Sequence, residues 1–195
     1  MKKFFFTVLV TLCALISSPV FGQNQVFNKG NFNFSAGYGL VPTFLADGGT
    51  SNIPPLSARL GYSFSQHFNL SGYFGYSAST SKPTLYSDGI YSQFKNDFMM
   101  MGLRGELRSQ RSEKFDIYGG FMLAYNHPIV KEVAVEGGSE IIREEGVPRG
   151  FNTPEGQLLY SGFVGGTYFV TKKIGVFAEL GYGISMLNTG LSFKL

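Results

Sequence analysis

The side chains that could do chemistry in this 195-residue chain are few: two histidines, one cysteine and scattered charges inside apolar alternation. His67 sits in the short polar stretch Gln66-His67-Phe68, and His127 stands at the root of the longest connection. A metal needs its ligands converged within bonding distance, and these two fall at opposite ends of the predicted strands, so they share none. A hydrolase needs a positioned base beside a nucleophile, but His127 runs into Pro128 rather than into a strand with a serine two residues on. Cys13 lies within the first apolar run. Processing of that run leaves no cysteine for disulfides, thiolate catalysis or metal sites. Gly37-Tyr38-Gly39 and Gly181-Tyr182-Gly183 lack the Lys-Ser/Thr ending and following helix of a phosphate loop. The expectation is no catalytic, cofactor-binding or metal site.

Four charges are more informative. Arg59, Arg104, Glu106 and Glu179 fall in phase with Gly and Ser, opposite the large apolar residues of their segments. On strands of a closed barrel that phase points inward. Their heights differ by only about 10–15 Å at roughly 3.3 Å per residue. An unpaired buried charge costs several kcal/mol, so the four are expected to pair as a luminal polar cluster. Two readings follow: a structural plug, as in narrow barrels filled by side chains, or a gated pore.

These charges sit on predicted strands. Beyond Gln23 the pattern has period two. Phe32, Phe34, Ala36, Tyr38 and Leu40 alternate with Asn33, Ser35, Gly37 and Gly39. The same holds for runs centred on Leu60, Phe74, Leu103, Phe121, Val164, Leu180 (Val176 to Ile184) and Leu191. That makes eight segments of about 8–12 residues, the length of a bilayer-spanning strand. The connections alternate between short polar turns and longer stretches at about 41–55, 79–97 and 127–156, an asymmetry found in membrane barrels. Within 127–156, Ile129, Val133 and Val135 precede Gly137-Gly138, and Ile141-Ile142 follow. This predicts an acidic hairpin that prolongs the neighbouring strands and is a candidate surface for a partner.

Composition agrees. Aromatic residues make up 16% and charged residues 15%, against roughly 25% charged in soluble domains. The formal charge is +3, of which Lys2 and Lys3 supply two, so no basic footprint for nucleic acid is present. Met1-Lys2-Lys3, the apolar run Phe4 to Ile16 and Ser17-Ser18-Pro19 have the order of a secretory signal peptide over 1–22, with cleavage before Gln23. The run is too short for a spanning helix, which needs roughly 20 residues.

The signal segment, the eight alternating runs and the ending Gly190-Leu191-Ser192-Phe193-Lys194-Leu195 resemble the small outer-membrane β-barrel family of the OmpA/OmpX type, as does the stretch Tyr168 to Gly183. The resemblance covers residues 23–195. It implies an all-β fold, an eight-stranded antiparallel up-and-down transmembrane barrel in a bacterial outer membrane, without the peptidoglycan-binding domain of larger members. It also implies that Gly190, Leu191, Phe193 and Leu195 form an assembly signal read by the barrel-assembly machinery, although Phe193 stands two residues before the end. The implied role is structural or surface-interacting, without catalysis, in a monomer contacting outer-membrane lipid. The rival roles are a narrow channel for small solutes, an outer-membrane lipid-modifying enzyme, and a secreted lipocalin-like binder.

Overall fold

A computed structural model describes residues 29–45, 49–85, 91–110, 114–134 and 155–195. The strands are β1 (Phe32–Pro42), β2 (Thr50–Ser63), β3 (Phe68–Thr80), the two-residue β4 (Thr84–Leu85), β5 (Tyr91–Gln110), β6 (Phe115–Ala134), β7 (Gln157–Phe169), β8 (Ile174–Gly181) and β9 (Ser185–Lys194). Their order is β3-β2-β1-β9-β8-β7-β6-β5-β4, and a further pairing of β3 with β5 closes the sheet. All the ladders are antiparallel. The result is a closed barrel of eight strands, with β4 a small flap on the rim beside β5.

Closure follows from the alternation. Phe32, Phe34, Tyr38 and Leu40 face out, while Asn33 and Ser35 are buried within. The same inversion runs round the wall, from Leu107, 67% exposed, to Tyr160, 86% exposed. Ile184 departs from its expected phase. β8 ends at Gly181, and the bend at 182–184 turns Ile184 into the lumen, where it is fully buried. A side chain past a strand end no longer obeys that strand's period.

Two of the short turns share one device. Ser65 Oγ accepts from the backbone N–H of His67 and Phe68, at 3.2 and 3.0 Å. Thr171 Oγ1 does the same for Lys173 and Ile174, at 3.2 and 2.9 Å. In each turn a hydroxyl satisfies amides that the ladder leaves free. Both turns lie at the end of the barrel where the Leu195 N–H donates to the Phe32 carbonyl at 3.0 Å.

At the opposite end the strands reach well into the three long connections. β2 begins at Thr50, β5 at Tyr91, and β6 continues to Ala134. β5 and β6 stay paired from Ser92↔Ala134 to Gln110↔Asp116, whereas β6 meets β7 only from Asn126 inward. The remainder of the predicted acidic hairpin, with Gly137-Gly138 and Ile141-Ile142, and the signal segment lie outside the described residues.

The candidate luminal site

The inward residues form two storeys. The lower one, toward the short turns, is charged. Arg59, on β2, donates to Glu179 on β8 at 2.6 Å. Arg104, on β5, grips the same carboxylate with two bonds, at 3.0 and 2.7 Å. Its Nε lies 3.5 Å from Glu106, two residues along the strand. The Glu106 carboxylate also accepts from Asn69 and Ser71, each at 3.1 Å, and from Arg108 at 2.7 Å. Arg108 then reaches Asp116 at 2.5 Å.

The chain of contacts therefore runs Arg59, Glu179, Arg104, Glu106, Arg108, Asp116, with three positive and three negative groups. The four residues expected from the sequence are brought together, with Glu179 as the shared carboxylate. Arg108 and Asp116 join them, beyond the four that the sequence reading names. Their signal was present: Arg108 keeps the even-numbered inward phase of Arg104 and Glu106, and Asp116 that of Tyr118.

Aromatic rings complete the storey. The Arg104 guanidinium lies 3.6 Å from the Phe163 ring centroid, and that of Arg59 4.3 Å from Phe177. Tyr118 lies between Arg59 and Arg108, whose guanidinium carbons are 5.7 and 5.3 Å from its centroid, and its hydroxyl is 3.4 Å from Arg59. Desolvated cations gain from such ring faces. Glycines make the room: a Cβ on Gly37 would lie 3.0 Å from the Phe177 ring, and one on Gly165 2.8 Å from Tyr118. The inward face reads as small in sequence because it must admit these rings.

The upper storey is apolar. Tyr73, Met100, Met122, Ala124, Phe163 and Ile184 pack together, with Phe44, Phe98 and Leu159 against them. Between the storeys, a cavity lined by Tyr73, Arg104, Met122, Ser161, Phe163 and Asn188 has room for about one water molecule.

The other candidate residues sit in the wall or at its ends. Gly190 faces inward opposite Gly37 and Phe177. Leu191 points out, Phe193 stacks on Phe34 with centroids 6.3 Å apart, and Leu195 is exposed at the short-turn end. His67 occupies a short turn, while His127 lies far along β6, exposed and stacked on Tyr125. Among the described residues no group of His, Cys, Asp and Glu is placed to hold a metal.

No family model matches the sequence, and no curated protein does. Solved structures do match. The outer membrane protein OprG from Pseudomonas aeruginosa aligns over 88% of this chain and 99% of its own, at 12% identity and a TM-score of 0.55. Ail, the attachment invasion locus protein of Yersinia pestis, aligns over 85% of this chain and 96% of its own, at 11% identity and a TM-score of 0.48. The N-terminal β-barrel domain of Pseudomonas aeruginosa OprF aligns over 87% and 100%, at 13% identity and 0.46. With its closed ring of eight antiparallel strands and its inverted interior, the chain has the fold of the small outer-membrane β-barrels, as seen in OprG.

Proposed function

We propose that this protein is an integral β-barrel of a bacterial outer membrane, structural or surface-interacting in role, which carries out no catalysis. The observation that carries this reading is the inversion of polarity across one wall. Large apolar side chains cover the outside, and a neutral network of six charges fills part of the inside. A soluble protein rarely exposes an apolar patch larger than a few hundred Å². A barrel in lipid must, and closure satisfies its backbone where no water is available.

The surface role is supported by strand length. β5 and β6 have 20 residues each, about twice what a bilayer crossing needs. Their length beyond the last β6–β7 pair, Asn126 with Gln157, supports a surface for a partner at that end. Export through residues 1–22, cleavage before Gln23, insertion by the barrel-assembly machinery and a monomeric state belong to the same reading. Against the channel reading stands the apolar storey, which covers the charges toward the long-loop end. Against the lipid-modifying reading stands the setting of His127, which stacks on Tyr125 and has Ile129, not a serine, two residues on.

The test is fractionation combined with gel mobility. The mature protein is expected in the outer membrane, and the unboiled sample is expected to migrate apart from the boiled one, because closed barrels resist detergent until heated. Recovery in the soluble periplasm without detergent would overturn the placement. Planar-bilayer conductance above background would replace the structural role with the channel. A changed lipid A mass in cells making the protein would replace it with the enzyme.

A further inference from the structure

Charge is partitioned along the barrel axis. Inside, three arginines and three carboxylates cancel. At the short-turn end the sequence places Lys29, Arg111, Lys114, Lys172, Lys173 and Lys194 against Glu113 alone, with Arg111 and Glu113 outside the described residues. The remaining nine of the thirteen carboxylates, with five basic side chains, fall in or beside the long connections at the other end. Among the described residues Lys82, Lys95 and Lys131 match Asp97, Glu132 and Glu155 in number at that end, so the described excess of charge lies at the short-turn end.

Among the described residues Lys29, Lys114, Lys172 and Lys173 form an arc at this short-turn end, with Lys194 turned to the lumen beside them. The Phe169 N–H donates to the Lys114 carbonyl at 2.7 Å, tying the β5–β6 turn to the end of β7. The Lys194 N–H donates to the Lys173 carbonyl at 2.9 Å, tying the β7–β8 turn to β9. The Lys194 ammonium caps the Phe169 ring at 3.7 Å, at the mouth of the lumen. Lys29, Lys114, Lys172 and Lys173 are exposed. Thr171 closes the turn through its own hydroxyl, so the Lys172 and Lys173 side chains are not needed to form it.

A second observation gives the height of the arc. Outward rings collect just inside it. Phe32 lies 5.0 Å from Tyr62, Tyr62 4.9 Å from Phe64, and Phe64 6.3 Å from Phe68. Phe115 adjoins Lys114, and Tyr168 precedes Lys172 by four residues; both rings are exposed. Aromatic collars sit at the level of lipid headgroups. Ammonium groups immediately beyond such a collar reach the phosphates.

We propose that this arc docks phospholipid headgroups of net negative charge in the leaflet at the short-turn end. The inference rests on the membrane placement proposed above and adds a lipid preference to it. Each lysine near an anionic surface contributes a modest attraction that salt screens. Several on one rigid arc select anionic over zwitterionic lipid, and they oppose inversion of the barrel in the bilayer.

The test uses the mature chain refolded into nanodiscs of phosphatidylcholine containing a minor fraction of phosphatidylglycerol. After dilution into mild detergent, native mass spectrometry counts the lipids retained. The wild type is expected to retain phosphatidylglycerol above its share in the bilayer. Lys172→Gln/Lys173→Gln is expected to lower that enrichment roughly tenfold. Lys82→Gln/Lys95→Gln, at the other end, is expected to leave it unchanged. Should the turn variant fold poorly by gel shift, the wild type alone decides, since its enrichment is expected to vanish when dilution is made into about 0.5 M salt. Retention matching the bilayer composition overturns the inference while leaving the barrel in the membrane. Binding to purified peptidoglycan without lipid enrichment overturns it in favour of cell-wall carboxylates. Failure to enter any bilayer overturns the membrane placement itself.

Discussion

The two storeys of the lumen are built from inward-facing residues of one ring, yet they solve burial in opposite ways. Below, Arg104 is 2% exposed and keeps two hydrogen bonds to Glu179 and a ring face at 3.6 Å. Above, Met100 and Ile184 are wholly buried among apolar neighbours and need no polar partner. The lower storey is coupled, because each charge answers for the next and removing one strands another. The upper storey is filled volume, and its losses are local. Buried ion networks contribute little net stability against apolar replacements, but breaking one from a single side is costly. The lower storey thus imposes a specific arrangement on four strands, while the upper one supplies density and a seal.

The sharpest test of this contrast is the shared carboxylate. Glu179→Ala leaves both Arg59 and Arg104 without their common partner, and is expected to lower unfolding free energy by about 3–5 kcal/mol in denaturant titrations of the refolded barrel. Adding Arg104→Met to that variant should recover part of the loss. Additive losses would show that the network is uncoupled and would dissolve the distinction between storeys.

Met100→Ala in the upper storey is expected to cost about 2–4 kcal/mol through lost contacts and a residual void. That loss should add to a distant lower-storey substitution such as Asp116→Asn, because Asp116 bonds to Arg108 and is not a member of the apolar cluster. Strong non-additivity would mean that the storeys act as one unit.

A third measurement compares lumen and wall. Leu103 points outward and is 61% exposed. Leu103→Arg is expected to cost about 2–4 kcal/mol in lipid if the site lies near the midplane, and less toward an interface. The same replacement should cost little in detergent with a polar shell. Equal cost in both would argue that this surface does not meet hydrocarbon.

The smallest effect is expected at Tyr118. Tyr118→Phe removes the hydroxyl 3.4 Å from Arg59 but keeps the ring beside both Arg59 and Arg108. A loss of about 1 kcal/mol or less is expected, since the ring and not the hydroxyl holds the position. A larger loss would shift the weight of the lower storey from ring faces to hydrogen bonds. Separately, Phe193→Ser and deletion of Leu195 should reduce outer-membrane levels in cells while purified protein still refolds. Normal levels of both would show that these residues are only wall.

Strand number, closure and the side of the wall each residue faces could be read from the chain, because a period of two is a local property that each strand repeats. Arg59, Arg104, Glu106 and Glu179 could be placed inside for the same reason, and their pairing follows from the cost of burying any one alone. What the alternation could not determine is how far each strand extends. β5 and β6 run on where the pattern is diluted by Lys95, Asp97 and Pro128, held by cross-strand pairing with each other. The phase at Ile184 is set by the folded ring, where the bend after Gly181 turns it inward against the local period. The ring also sets the partners. Glu179 serves two arginines from β2 and β5, and Glu106 passes the chain of charges on to Arg108 and Asp116, because barrel closure sets strands distant in sequence at matching heights. Direction across a strand is a property of neighbouring residues, whereas partnership across a lumen depends on the curvature and stagger of the whole ring.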